Sequence, residues 1–209
     1  MTTMVNVNGR IADRDHAVVS VLDHGFLYGE GIYETLRTYD GWPFLFERHM
    51  RRLHDSASMM ALRVPLSDAE IRRRIVETME AAGLGPIGPG RTAPREAYIR
   101  ILVTRGVGEL SYDIAACDTP TVVVIVKPHV DPPPSVYAEG VGVAIVSTVR
   151  NHPGSVNPLI KSNNLLNNAL AMQEASRHGA FEGIMRNYRG EIVECTTANL
   201  FVVTHGRVL

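Results

Sequence analysis

Lys161 stands in surroundings that favour chemistry at an amine. It is one of two lysines in the chain, the other being Lys127, and apolar residues flank it at Leu159-Ile160 and Leu165-Leu166. An apolar environment penalises the charged form of an amine, and a neutral amine is a nucleophile that can form a Schiff base with a carbonyl compound. A lysine that extends its ammonium group to solvent from the start of a helix would have the same local sequence. The local pattern therefore indicates a candidate nucleophile without deciding its function.

Four polar or glycine-containing segments carry further information: two precede Lys161, one contains it and one follows it. They are Tyr28 to Glu34 (YGEGIYE), His49 to Leu53 (HMRRL), Ile160 to Ala169 (IKSNNLLNNA) and Gly190 to Phe201 (GEIVECTTANLF). Together they resemble the signatures of the class IV aminotransferases, a family of pyridoxal-phosphate enzymes. That family includes branched-chain aminotransferases, D-amino-acid aminotransferases and aminodeoxychorismate lyases. The resemblance rests on the combination of the four motifs, because one such motif alone is weak.

The resemblance implies pyridoxal 5'-phosphate as cofactor and a role for each motif. Lys161 would carry the cofactor as a Schiff base and act as general base. Arg52 would bind the phosphate, because a guanidinium group can donate two hydrogen bonds to it. Glu194 would keep the pyridine nitrogen protonated, and Thr197 and Asn199 would add hydrogen bonds from the following turn. The alternative interpretations are a solvated helix arginine, an exposed strand-end glutamate and a turn that these two polar residues stabilise.

Three further residues, Tyr33, Tyr98 and Arg100, are implied to bind the substrate. Tyr98 and Arg100 form a Tyr-x-Arg element that resembles the one lining the substrate pocket of branched-chain aminotransferases. The segment after Thr104-Arg105-Gly106 lacks the arginine and histidine that the best-known D-amino-acid aminotransferases have there. Tyr33, in contrast, begins a Tyr-Glu-Thr triplet where branched-chain enzymes usually have Phe-Glu-Gly.

These features predict a transaminase that moves an amino group between an amino acid and a 2-oxo acid, of the branched-chain L-amino-acid type. The alternatives are a D-amino-acid aminotransferase, an aminodeoxychorismate lyase and an inactive, truncated remnant. Intact Lys161, Arg52 and Glu194 argue against the remnant. The end of the sequence at Leu209 argues for it, because the family has further phosphate- and substrate-binding loops beyond the matching region.

The composition is that of an ordinary globular protein and disfavours several function classes. The chain has 209 residues, of which 45% are hydrophobic and 21% charged, and its net charge is -1. No general attraction to nucleic acid or to a membrane surface is expected from such a balance. The sequence lacks a signal-peptide core and an apolar run of membrane-spanning length, so a cytoplasmic location is expected. Cys117 and Cys195 do not have metal-binding spacing, and no metal site is predicted.

The elements that must position these residues are both strands and helices. An apolar stripe predicts a helix over residues 49–62 that carries Arg52. Ser162, directly after Lys161, is expected to cap a helix over residues 163–178. Apolar and β-branched runs predict strands at 32–39, 97–103, 121–126 and 141–149.

Three consecutive prolines at 132–134 indicate a domain boundary, because they cannot continue a strand or a helix. We therefore predict an α/β (α+β) fold of two domains. Residues 1–130 form a small N-terminal α/β domain, and residues 131–209 form a larger C-terminal domain that is incomplete in this chain. The resemblance implies the fold type IV arrangement, in which the second domain is a pseudo-barrel. It also implies that the protein binds small-molecule amino acids and 2-oxo acids and that it forms a homodimer.

Overall fold

The computed structural model describes residues 2–88 and 92–209. These residues form two units. Unit 1 contains Met1–Val130 and Ile160–Asn163, and unit 2 contains Asp131–Leu159 and Asn164–Leu209. Lys161 therefore belongs to unit 1 as part of a four-residue segment, and the chain on both sides of that segment belongs to unit 2.

Both units contain strands and helices, as predicted. In unit 1 they are β1 (Met4–Val7), β2 (Arg10–Asp13), α1 (His24–Leu27), β3 (Gly31–Tyr39), β4 (Trp42–Pro43), α2 (Phe46–Met59), α3 (Asp68–Ala81), β5 (Ala97–Thr104), a 3-10 turn (Ile114–Ala116) and β6 (Thr121–Pro128). In unit 2 they are α4 (Pro134–Glu139), β7 (Val143–Val149), α5 (Leu166–Arg177), β8 (Glu182–Arg186), β9 (Ile192–Cys195), β10 (Val203–Thr204) and β11 (Arg207–Val208).

Unit 1 is built on a six-stranded antiparallel sheet in the order β2-β1-β6-β5-β3-β4. Side chains alternate between its two faces, as in any strand. On β5, Ile99, Ile101 and Val103 are buried in the core that α2 and α3 cover. Tyr98 and Arg100 point to the opposite face and are only partly buried. One face of the sheet thus packs against α2 and α3 to form the core, and the opposite face carries the partly buried side chains of Tyr98 and Arg100.

Helix α2 has the predicted apolar stripe but is shifted along the sequence. Met50, Leu53 and Ala57 are buried against the sheet, as expected. The helix begins at Phe46, three residues earlier than predicted, and ends at Met59, three residues earlier than predicted. Phe46 is itself buried, four residues before Met50, so it extends the same stripe by one turn.

Ser162 does not cap α5, and the prediction of a helix from Asn163 is wrong at that end. The Asn163 N–H donates to the Gly31 carbonyl oxygen at 2.8 Å, and Ser162 is bridged to Ile32, so this segment is extended beside β3. Helix α5 begins later, at Leu166, and no side chain caps it. Pairing with β3 has overridden the local capping preference.

Unit 2 contains a three-stranded sheet in the order β7-β8-β9. Strands β7 and β8 are parallel, and β8 and β9 are antiparallel. Helix α5 connects the two parallel strands and buries Ala171 and Ala175 against Val146 and Met185. Glu194 lies near the C-terminal end of β9, opposite Met185 of β8.

Among the residues that the structure describes, none of the helices has the length and apolar character needed to cross a membrane.

Candidate active site

Lys161 is fixed to unit 1 by its main chain. Its N–H donates to the Ser56 hydroxyl at 3.1 Å, and its carbonyl oxygen accepts from the Tyr33 N–H at 2.9 Å. Ser56 is a buried residue of α2, and Tyr33 lies in β3. A helix and a strand therefore fix the point from which the lysine side chain extends.

The Lys161 amine lies against the face of the sheet that the helices leave open. Its Nζ is 4.6 Å from the centroid of the Tyr33 ring, and the guanidinium carbon of Arg100 is 4.1 Å from the same centroid. Cations at such distances are attracted to an aromatic face. Tyr98 lies on this face of β5, with the Lys127 Nζ 4.8 Å from its ring centroid. The structure thus places Lys161 and the three predicted substrate residues on one face of unit 1.

Arg52 lies one helical turn before Ser56 on α2 and is held by a buried carboxylate. Its Nε donates to Glu34 Oε1 and its Nη2 to Glu34 Oε2, both at 2.6 Å, which is a bidentate pair. His49 Nδ1 is 2.7 Å from Glu34 Oε2. Glu34 is fully buried, whereas half of the Arg52 side chain is exposed. Nη1 of Arg52 makes no hydrogen bond to any residue that the structure describes, and it remains for a ligand.

The pair between Glu34 and Arg52 keeps both groups charged. Burial by itself would raise the pKa of Glu34, but hydrogen bonds from Arg52 and His49 outweigh burial and lower the pKa of Glu34 below its usual value. The hydrogen bond to Glu34 raises the pKa of Arg52. Helix α2 therefore presents a fixed positive charge at neutral pH.

Glu34→Gln should lower the free energy of unfolding at pH 7 by about 1–3 kcal/mol, because a buried hydrogen-bond acceptor of Arg52 and His49 is lost. The pKa of Glu34 is lower in the folded state, so its contribution is fully present above the ordinary glutamate pKa, roughly 4.3, and is lost as pH falls through the folded value. The difference between wild type and variant should therefore shrink on acidification. Urea denaturation at pH 7 and at pH 4 measures it.

Glu47→Gln provides the matched control on the same helix. Glu47 pairs with Arg72 at 2.6 Å, but both side chains are exposed. An exposed pair contributes at most about 1 kcal/mol. Equal destabilisation by the two substitutions would contradict the special role of the buried carboxylate.

Glu194, in unit 2, is held by an arginine that the sequence did not single out. Arg150 Nε is 2.7 Å from Glu194 Oε2. The Arg150 Nη1 donates to the Asn168 side-chain oxygen at 3.0 Å, and the Asn168 amide donates to the Thr196 carbonyl oxygen at 2.8 Å. Oε1 of Glu194 makes no hydrogen bond within the described residues, and the side chain is 41% exposed. The contact of Oε2 with Arg150 thus orients the Glu194 carboxylate, and Oε1 remains available to a ligand.

The predicted pair Thr197 and Asn199 follows Glu194 after the end of β9. Thr197 donates both its N–H and its hydroxyl to Glu182, at 3.2 and 2.5 Å, so only the lone pairs of its oxygen remain for a ligand. Asn199 is exposed in the segment between β9 and β10. Among the predicted site residues, unit 1 carries Lys161, Arg52, Tyr33, Tyr98 and Arg100, and unit 2 carries Glu194, Thr197 and Asn199.

Four residues that contact predicted site residues within their own unit were missed by sequence reasoning: Ser56 and Glu34 in unit 1, and Arg150 and Glu182 in unit 2. A signal for Glu34 was present, because it falls between Ile32 and Leu36 on the core-facing positions of β3, where a carboxylate requires a partner. The other three act through contacts between residues far apart in sequence, and no local pattern marks them.

Comparison with known protein families places most of the chain in one of them. Residues 31–209 match the family described as amino-transferase class IV. The chain belongs to the class IV aminotransferase family. The family and the α/β fold predicted from the motifs are confirmed.

Individual relatives agree with this assignment. A protein of Methanocaldococcus jannaschii, described as a branched-chain-amino-acid aminotransferase, is 38% identical over 202 residues, which cover 97% of this chain and 66% of that protein. The aminodeoxychorismate lyase of Bacillus subtilis is 33% identical over 202 residues, covering 95% of this chain and 64% of the lyase. The crystal structure of a branched-chain aminotransferase from Thermoproteus uzoniensis with norvaline has a TM-score of 0.85 at 30% identity, covering 100% of this chain and 67% of that one. The chain thus spans about two thirds of the length of these proteins.

Proposed function

We propose that this protein is a pyridoxal-phosphate-dependent transaminase, which moves an amino group between an amino acid and a 2-oxo acid. The observation that carries the proposal is the placement of Lys161. Ser56 and Tyr33 fix its main chain, and its amine lies on an open sheet face beside Arg100. Membership in the class IV family supports the role of this lysine as the cofactor-bearing residue.

The donor groups present in the two units match the chemistry of pyridoxal phosphate. The cofactor has an aldehyde, an anionic phosphate and a basic ring nitrogen, which require an amine, a cation and a carboxylate. Unit 1 supplies the Lys161 amine and Nη1 of Arg52, which has no hydrogen-bond partner in the described ranges 2–88 and 92–209, and unit 2 supplies Oε1 of Glu194. Thr197 and Asn199 add polar atoms after Glu194. The residues present therefore fit the cofactor.

Each residue has a separate task in the proposed reaction. When bound, the cofactor supplies an electron sink for negative charge on the substrate's α-carbon. Lys161 Nζ would hold the cofactor and, as a free amine, would accept the α-proton of the substrate as general base. Arg52 binds the phosphate, and Glu34 keeps the guanidinium in place. Glu194 Oε1 holds a proton on the ring nitrogen, because a nearby negative charge stabilises the protonated form.

We also propose that the preferred donors are branched-chain L-amino acids. Arg100 supplies a cation for the α-carboxylate, and the rings of Tyr33 and Tyr98 supply apolar surface for an aliphatic side chain. These residues lie on the same face as the Lys161 amine. The similarity to proteins described as branched-chain aminotransferases supports this choice.

Amino-donor profiling tests the proposal. With 2-oxoglutarate as acceptor and added pyridoxal phosphate, L-leucine, L-isoleucine and L-valine should be used at least about 10-fold more efficiently than D-alanine, measured as kcat/KM. A preference for D-alanine would favour the D-amino-acid alternative. Release of pyruvate from aminodeoxychorismate, without use of any L-amino acid, would favour the lyase. No turnover of any of these compounds would favour the inactive remnant.

We further propose that the protein is a homodimer, that it is located in the cytoplasm, and that its two domains meet between residues 130 and 131 of the sequence. Four apolar residues between positions 18 and 22 (Val18, Val19, Val21 and Leu22) and the nearby Phe26 are exposed on unit 1 and support association with a second copy. The free thiols of Cys117 and Cys195 are consistent with a reducing compartment.

A further inference from the structure

Glu182 is a buried carboxylate whose oxygen atoms each bind one of two consecutive threonines. Its Oε1 accepts from both the N–H and the hydroxyl of Thr196, with the N–H at 3.0 Å. Its Oε2 accepts from the N–H and the hydroxyl of Thr197, at 3.2 and 2.5 Å. The Gly183 N–H adds a further hydrogen bond to Oε1 at 2.9 Å. The carboxylate thus fixes both the main chain and the side chains of the turn after β9.

This arrangement requires the carboxylate to be ionised, although Glu182 is only 5% exposed. Burial by itself would raise the pKa of Glu182, but hydrogen bonds from Thr196, Thr197 and neighbouring N–H groups outweigh burial and lower the pKa. All five of these hydrogen bonds come from neutral donors. A buried charge held this way is costly unless every donor is in place, so the turn has little freedom to move.

The turn is connected to Glu194 by two routes. Glu194 lies two residues before Thr196 in the chain. The second route runs through side chains, because Asn168 donates to the Thr196 carbonyl oxygen at 2.8 Å and accepts from Arg150, which binds Glu194 at 2.7 Å. A shift of the turn would therefore reach the Glu194 carboxylate both along the backbone and through Arg150.

We propose that Glu182 is a positioning residue of the cofactor site, which fixes the Thr196-Thr197 turn and through it the orientation of Glu194 toward the cofactor's ring nitrogen. This role rests on the proposed function. Glu182 does not touch the cofactor; it acts by holding the residues that do.

Glu182→Gln tests the role with little change of shape. An amide nitrogen is a donor, and at either end of the side chain it would meet a backbone N–H that cannot turn away. We expect the dissociation constant for pyridoxal phosphate to rise by on the order of 10-fold or more, because the turn that Glu182 fixes also carries Thr197, which we assign to the cofactor. Titration of the apoprotein with the cofactor measures this change. The pH dependence of the bound cofactor's absorbance should shift as well, because the carboxylate beside the ring nitrogen is displaced.

Glu174→Gln is the matched control. Glu174, on α5, also binds two consecutive hydroxyl residues, accepting from the Ser147 N–H at 2.6 Å and the Thr148 N–H at 3.3 Å, but it is only partly buried and is not linked to β9 by these contacts. We expect its cofactor affinity and absorbance profile to equal those of the wild type. If both variants lose affinity equally, the effect is one of general stability and the role of Glu182 is overturned.

A second variant covers the case in which Glu182→Gln does not fold. Thr196→Val keeps the carboxylate and removes one hydroxyl donor from a buried residue, so it should weaken cofactor binding in the same direction by a smaller factor. Wild-type affinity in every soluble variant would overturn the role of Glu182 and leave the proposed function intact. A wild-type protein that binds no pyridoxal phosphate would overturn both.

Discussion

Lys161→Ala is expected to reduce transamination by at least about 10⁴-fold, because one substitution removes both the cofactor's attachment point and the general base. The main-chain hydrogen bonds of residue 161 to Ser56 and Tyr33 do not depend on its side chain, so the variant should fold. Borohydride treatment of the wild type should fix the cofactor permanently to the peptide that contains Lys161, which mass spectrometry detects. The variant should show no such modification.

Lys127→Ala is the control for this experiment, since Lys127 is the only other lysine in the sequence. It lies on β6 opposite Tyr98, and its side chain is exposed. Its turnover and its borohydride product should match those of the wild type. Equal loss of activity in the two variants, or modification of the Lys127 peptide, would contradict the assignment of Lys161.

Glu194→Gln should lower turnover by on the order of 100-fold, equivalent to roughly 3 kcal/mol of activation free energy, while cofactor affinity changes little. An amide can still hydrogen-bond to the ring nitrogen but does not stabilise its positive charge. The loss should appear mainly in kcat, because the interaction matters most when charge develops during the reaction. Single-turnover kinetics with L-leucine measure the chemical step directly.

Arg52→Gln should show the opposite balance. Its Nη1 is the group that we assign to the phosphate, so this variant should lose cofactor first, and excess pyridoxal phosphate should partly restore its rate. Titration of both variants with the cofactor separates the two effects. If Glu194→Gln lost cofactor and kept normal chemistry, Glu194 would be a structural residue of β9 only.

Sequence motifs were sufficient to predict the family, the class of fold and most elements of unit 1. The longer strands of unit 1 were predictable because apolar and β-branched runs mark them, whereas the face of β5 that is buried was not predicted. Helix α2 was predictable from its apolar stripe, and its start was misplaced because Phe46 was not counted as part of that stripe.

The supporting contacts were not predictable in the same way. Ser162 has the residue type of a helix cap, yet the extended segment beside β3 prevents that role. Arg150 and Glu182 lie at the end of β7 and the start of β8, and each has its partner at the end of β9 or beyond. Such pairs depend on how strands are arranged in space, and a single sequence does not record that arrangement.

The bridge between Ile32 and Ser162 has a consequence for synthesis of the protein. Strand β3 is made early, but its edge at Gly31 and Tyr33 stays unpaired until residues 161–163 have left the ribosome. An open strand edge is a template for pairing with other chains, and a polypeptide released before residue 163 would keep that edge exposed. Translation order therefore makes Lys161 part of the last segment added to unit 1, and the segment that positions the amine also pairs with this edge of β3.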